Sequence, residues 1–351
     1  MRYKLLGRSG LRVSELCLGA MTFGDESSEG WGASKEESRR IFDAFVEAGG
    51  NFIDTANNYT DGNSERYVGE LVAGDRDRFV IATKYTAPTR PDDPNSGGNH
   101  RKALVQSLDG SLKRLGTDYI DLYWVHVWEY LTPLEEVMRA LDDMVRAGKI
   151  LYVGISDAPA WVVSRANTLA DLRGWTPFAG LQIEYSLIQR TVERELVPMA
   201  EALDLAVLAW GPLGRGLLTG KYSADGSTGD RRGRLSAGDP RLTERNLEIS
   251  TVVGDVAAEL DAKPAEVAIA WLRTRPGVVI PIIGARTARQ LEETLGCVEL
   301  ELPDDALRKL DLASRVSLGF PHDFLAGVLG RQAAIHGLPD DHRGALPAHI
   351  R

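Results

Sequence analysis

Asn51-Phe52-Ile53-Asp54-Thr55-Ala56-Asn57-Asn58-Tyr59 is the stretch on which the fold turns. Phe52 and Ile53 read as the end of a short buried strand. The apolar run stops at a carboxylate, Asp54, and small or polar residues carry the chain to a tyrosine. In parallel α/β architectures functional groups stand at the carboxyl ends of strands. Taken alone, the stretch reads equally well as Asp54 capping the next helix and Tyr59 packing, so the other strand ends decide.

Working outward, the same pattern recurs. Apolar runs at 79–82, 119–125 and 150–155 end on Thr83-Lys84, on His126 and on Ser156-Asp157. Runs at 180–183, 206–209 and 278–283 follow, with Trp210-Gly211-Pro212 after the second of them and Gly284 after the third. Upstream, Leu16-Cys17-Leu18 leads into Gly19-Ala20-Met21. Helical periods fill the intervals: Ser34 to Glu37 has capping-box spacing before Ile41 and Phe45, and Leu104, Leu108, Leu112 and Leu115 share one face. Thr132-Pro133 is expected to cap a helix with proline at its first position, and 192–203 is expected to be one helix. Roughly eight strands alternating with helices predict a (β/α)8 TIM barrel rather than an open sheet. Residues 3–6 and 11–13 around Gly7-Arg8-Ser9-Gly10 predict an N-terminal β-hairpin that plugs the barrel bottom, and long loops surround the mouth. Residues 1–317 are expected to form one barrel domain, and 318–351 a C-terminal loop or tail over it.

Hydrophobic residues make up 43% of the 351 residues and charged ones 26%, enough for a sizeable core. A formal net charge of -9 argues against a nucleic-acid partner, which needs a basic field. Two cysteines, Cys17 and Cys297, suggest reduced thiols rather than a disulfide framework. With no apolar run long enough for a bilayer, the expectation is a soluble, cytoplasmic protein without membrane insertion; a homo-oligomer is compatible with the sequence, which does not specify one.

In a barrel Asp54, Lys84 and His126 converge on one mouth, with Tyr59 in the loop above them. A tyrosine of ordinary pKa near ~10 must be lowered by roughly three units to act as an acid at neutral pH. Lys84 is expected to supply that shift, Asp54 to keep the lysine charged, and His126 to orient a carbonyl oxygen. No serine or cysteine nucleophile stands at the strand ends with a base beside it, unless Ser156 is one. The attacking species is therefore expected to be a hydride from a cofactor.

These residues carry a resemblance. The stretch from Asn51 to Tyr59, Thr83-Lys84, and Asp121-Leu122-Tyr123-Trp124-Val125-His126 resemble the Asp, Tyr, Lys, His tetrad of the aldo-keto reductases. The resemblance runs from Tyr3 to about Leu312. It implies a barrel that reduces aldehydes or ketones with NADPH, preferred over NADH, and a small-molecule carbonyl substrate. It implies Asp54, Tyr59, Lys84 and His126 as catalytic residues. Ser156, Asp157 and Gln182 fall where relatives hold the nicotinamide carboxamide, although the second of these is usually asparagine. Trp210 falls where an aromatic ring stacks on the nicotinamide. The run from Pro212 through Leu213, Gly216 and Lys221 resembles the loop over the pyrophosphate, and Gly211 belongs with it. Gly284, Arg286, Gln290, Glu293 and Thr294 resemble the adenosine site, with Arg286 facing a 2′-phosphate. Gly19, Ala20 and Met21 complete the cofactor contacts.

Other features have plainer readings. Arg231, Arg232 and Arg234 read as a solvated run. Trp124, Trp128 and Trp161 read more readily as packing than as substrate contacts; Trp128 is kept as a candidate beside Trp31 and Tyr85, which fall in mouth loops. Two rivals to the reductase reading remain: a cofactor-sensing regulatory subunit with the same fold and little turnover, and a metal-dependent barrel hydrolase. The second needs several His and carboxylate ligands at strand ends, where only His126 stands, so no metal is expected.

Overall fold

The computed structural model describes residues 1–24, 32–90, 92–222, 233–236 and 238–326. Two short strands, β1 (Tyr3–Leu5) and β2 (Arg12–Ser14), form an antiparallel hairpin. Eight parallel strands then close a barrel: β3 (Cys17–Gly19), β4 (Phe52–Asp54), β5 (Val80–Tyr85), β6 (Ile120–Val125), β7 (Ile150–Ser156), β8 (Phe178–Glu184), β9 (Ala206–Trp210) and β10 (Val279–Ile283). They pair in chain order, and β10 closes the ring on β3.

The period of two along each strand sorts side chains into two layers. Val80 and Ala82 of β5, Leu122 and Trp124 of β6, and Ala206 and Leu208 of β9 fill the barrel interior. Ile81, Tyr85, Tyr123, Val125 and Val207 face the helices instead. The Trp124 indole fits inside because two neighbouring strands carry glycine. A Cβ at Gly154 would lie 2.3 Å from that ring, and one at Gly180 2.9 Å from it.

The hairpin closes the barrel bottom. Leu6 and Val13 join the interior cluster, and Lys4 Nζ donates to the Val279 carbonyl at 2.8 Å. Gly7, at φ +54°, passes so close to the starts of β8 and β9 that a Cβ there would lie 2.5 Å from the Ala179 and Asp204 carbonyl oxygens.

The outer ring comprises α1 (Lys35–Glu47), α2 (Asn63–Val72), α3 (Arg101–Leu115), α4 (Leu134–Arg146), α5 (Ala160–Arg173), α6 (Leu196–Ala202), α7 (Glu244–Glu259), α8 (Pro264–Arg273), α9 (Ala288–Leu295) and α10 (Asp304–Ser314). Ser34 caps α1 by accepting from the Glu37 amide, and Thr287 caps α9 by accepting from the Gln290 amide. Two expectations need correction. Thr132 does not cap α4: Pro133 precedes the helix, and the Thr132 hydroxyl donates to Glu129 instead. The single helix expected over 192–203 is a 3-10 turn, Thr191–Glu193, followed by α6. Pro198 stands in the first turn of α6, where its missing N–H is harmless, but its ring excludes helical backbone running on upstream past residue 194. A short helix, α11 (His322–Ala326), begins the C-terminal tail, and the rest of that tail lies outside the described residues. No helix among the described residues is long and apolar enough to cross a membrane.

Candidate active site

The inward phase of the strands, carried to their carboxyl ends, builds one wall of a cleft at the barrel mouth. Asp54 follows Phe52 on β4, Lys84 follows Val80 and Ala82 on β5, and His126 follows Leu122 and Trp124 just beyond β6. Asp54 Oδ2 and Lys84 Nζ form a buried ion pair. Lys84 also donates to the Thr55 carbonyl at 2.8 Å, and Gln182 Nε2 donates to Asp54 Oδ1 at 3.0 Å. The ammonium lies 4.7 Å from the centre of the Tyr59 ring, and that ring meets the His126 imidazole edge-on at 5.8 Å. Four side chains distant in sequence thus share one corner.

The electrostatics differ from the expectation in one respect. Burial acts against the Lys84 charge, but Asp54 and Tyr59 beside it outweigh burial and hold its pKa above the ordinary lysine value. Tyr59 is not lowered. Burial pushes its phenol above the usual value, Lys84 only partly opposes this, and Asp54 adds to the rise. The physical reason is burial, which the Lys84 charge does not outweigh while Asp54 stands beside it. His126 is pushed down to about 3, by burial first and by the Lys84 charge second, so its imidazole is neutral at physiological pH.

The cleft has two lobes. The inner lobe, of about 790 Å³, is lined by Tyr59 and His126 and by Gly19, Met21, Asp54, Ser156, Asp157, Gln182, Trp210, Gly211, Pro212 and Leu213. The outer lobe, of about 680 Å³, is lined by Leu213, Gly216, Lys221, Gly284, Arg286, Gln290, Glu293 and Thr294. Leu213, Arg215, Arg234, Gly284, Arg286 and Thr294 border both. Several of these groups touch one another: Trp210 Nε1 donates to Asp157 Oδ1 at 3.2 Å, the Arg286 amide donates to Gln290 Oε1 at 3.0 Å, and Glu293 pairs with Arg289 at 3.0 Å. The Thr294 hydroxyl donates back to the Gln290 carbonyl at 2.8 Å.

Other expected site residues lie elsewhere. Ala20 belongs to the core facing the helices, where its carbonyl accepts from Ser64 Oγ at 2.6 Å. Tyr85 is not in a mouth loop. It is fully buried one residue after the inward Lys84, so the strand period turns it outward, where it stacks on Tyr123. Trp128 is buried in the same outer core. Trp31, Arg231 and Arg232 lie outside the described residues.

Glu184 and Arg234 were missed. Glu184 lines the inner lobe from the end of β8, in the same inward phase as Gln182 two residues earlier, and that phase was the available signal. Arg234 is solvent-exposed, as the solvated-run reading expects, but it also borders both lobes of the cleft. Its pKa is lowered, by loss of solvent around part of the guanidinium first and then by the nearby charges of Arg286 and Arg215. Three guanidiniums facing one cleft make a donor set suited to an anion, and a phosphate-bearing nucleotide fits it.

Comparison with known proteins agrees with this geometry. Residues 15–315 match the model of the aldo/keto reductase family. The chain is 40% identical to a norsolorinic acid reductase of Emericella nidulans, over 90% of this chain and 82% of that one. It is 38% identical to an aryl-alcohol dehydrogenase of Pestalotiopsis microspora, over 92% of this chain and 85% of that one. It is 35% identical to an aldo-keto reductase of Aspergillus calidoustus, over 92% and 85%. This chain belongs to the aldo/keto reductase family, enzymes of carbonyl oxidoreduction that use nicotinamide cofactors.

Proposed function

We propose that this protein is an NADPH-dependent reductase of aromatic aldehydes and ketones, working between a carbonyl compound and its alcohol. The observation that carries the reading is the convergence of Asp54, Lys84, Tyr59 and His126 on a cleft whose outer lobe is lined by Arg215, Arg234 and Arg286. The aromatic class is suggested by relatives named for norsolorinic acid and for aryl alcohols.

When bound, the cofactor supplies the hydride. The protein's own residues manage the oxygen. His126, neutral, donates one N–H to the carbonyl oxygen and orients it. Tyr59 carries the proton that this oxygen takes up. A phenol held above its ordinary pKa remains protonated at neutral pH, so the proton is in place for the developing alkoxide to take up. Lys84 stabilises the phenolate that remains, and Asp54 holds Lys84 in place and charged. Ser156, Asp157, Gln182 and Trp210 hold the nicotinamide end. Gly211 through Leu213, Gly216 and Lys221 hold the pyrophosphate. Gln290, Glu293 and Thr294 hold the adenosine, with Arg286 on the 2′-phosphate.

The test is consumption of NADPH by the purified protein with a panel of aromatic aldehydes and ketones, and of NADP+ with aryl alcohols. Turnover with some of them is expected. Cofactor binding without turnover across the panel would sink the reading.

A further inference from the structure

Three carboxylates line the inner lobe: Asp54, Asp157 and Glu184. Asp54 is paired with Lys84, and Glu184 stands 3.9 Å from Arg241. Among the described residues Asp157 has no ion pair. Its side chain accepts from the Trp210 indole at 3.2 Å and from Ser156, and its backbone amide donates to the Gln182 carbonyl at 3.2 Å. Its φ of +46° holds it in the left-handed region just past the end of β7, and its hydrogen bonds tie it to Gln182 of β8 and Trp210 of β9 at the barrel mouth.

The charge is what needs a reason. Asparagine, with the same shape, would accept the same indole hydrogen bond and tolerate the same backbone conformation. A partly buried anion is disfavoured, and burial here raises the Asp157 pKa against the opposing effects of Trp210, Ser156 and Lys84. A carboxylate kept in a cleft wall without a cation of its own suits a ligand that brings one. This inference rests on the reading of the cleft as a nicotinamide nucleotide site. The oxidised ring carries a positive charge and the reduced ring carries none. Ser156, Asp157, Gln182 and Trp210 form the wall beside Tyr59 and His126, where a ring that serves a carbonyl held by those two must lie.

We propose that Asp157 discriminates between the oxidation states of the cofactor, holding the cationic oxidised ring more tightly than the neutral reduced one. Bound nucleotide is thereby biased toward NADP+, which favours carbonyl reduction in the site and makes release of the oxidised nucleotide slower.

The experiment is titration calorimetry of NADP+ and NADPH against wild type, Asp157→Asn and Asp157→Ser. Asn keeps the shape and the indole acceptor, and Ser removes both along with the charge. In each variant Kd for NADP+ should rise about tenfold relative to Kd for NADPH, the scale of one charge contact in a partly screened cleft. Both constants come from one preparation, so a partly misfolded variant leaves their ratio intact. A ratio that is unchanged in Asp157→Asn, or that changes only in Asp157→Ser, overturns the assignment. Binding of neither nucleotide by the wild type would overturn the reading of the site itself, and this inference with it.

Discussion

The inner wall of the cleft and its outer lobe hold their charges in different ways. At the wall, opposite charges meet inside the protein: Lys84 is fully buried against Asp54, and Gln182 takes the second carboxylate oxygen. In the outer lobe, Arg215 and Arg286 are near enough to Arg234 to oppose its charge. The wall has its counter-charge built in and is ready before any ligand arrives. The lobe gathers Arg215, Lys221, Arg234 and Arg286 around one opening, cations that a bound anion would draw together. On the function proposed above, the difference separates two tasks, chemistry at strand ends and capture of a nucleotide on loops and helix starts. Mutations in the two regions should therefore fail in different measurements.

The largest effect is expected at the wall. Tyr59→Phe removes the proton donor but leaves the ring against His126, so turnover should fall by roughly 10²- to 10⁴-fold with NADPH binding nearly unchanged. Wild-type turnover in single-turnover kinetics would reject the acid assignment. Lys84→Met tests the built-in pairing through stability. Removing one partner of a buried pair strands the other, and chemical denaturation should show a loss of about 3–5 kcal/mol. A variant as stable as wild type would mean that Asp54 finds another partner or a proton at little cost.

In the lobe the effect should be smaller and confined to binding. Arg286→Ala should reduce the preference for NADPH over NADH by about ten- to a hundredfold, as a charge-assisted contact worth roughly 1.5–3 kcal/mol is lost. NADH binding should hardly move. Equal losses for both nucleotides, or a wild type without preference, would remove Arg286 from the 2′-phosphate. Trp210→Ala should weaken both nucleotides together, because stacking on a ring does not see the 2′ position. Unchanged affinity in that variant would count against stacking.

The two regions were also unequally legible in the sequence. The strands declared themselves as apolar runs, and a period of two places Asp54, Lys84 and His126 inward once the registers of 52/54, 80/82/84 and 122/124/126 are followed. Tyr85 reads as the first residue of a mouth loop because the apolar run stops at Ala82, yet the strand runs on to Tyr85 and turns it into the outer core. Glu184 stands two residues after Gln182 in the same inward phase. The lobe has no such period. Arg234 is exposed, as a solvated arginine is, and nothing local in the sequence records that Arg215 and Arg286 stand near it at the cleft. Tyr59 shows the limit of pairwise reasoning even at the wall. A lysine beside a tyrosine suggests a lowered phenol, but the lysine's charge is shared with Asp54 and burial decides the direction.

The smallest expected effect is a null one. A histidine at an active site invites a pH profile with a limb between pH 6 and 7, near its ordinary value. Here burial and the Lys84 charge push His126 down to about 3. The folded protein therefore binds fewer protons at this ring than the unfolded chain does between pH ~6.5 and ~3. The resulting stability is fully present above ~6.5 and is lost as pH falls toward 3, not as it rises. At neutral pH the ring is already deprotonated, so kcat/KM should cross pH 6 to 8 without a histidine limb. The Tyr59 limb should lie above ~10, since burial raises the phenol. Any acid limb then belongs to carboxylates, and it should persist in His126→Asn at the same pH though with lower activity. A limb between pH 6 and 7 that vanishes in that variant would show that His126 titrates normally. The wall would then hold its charges less tightly than the burial of Lys84 and the Asp54 pair imply.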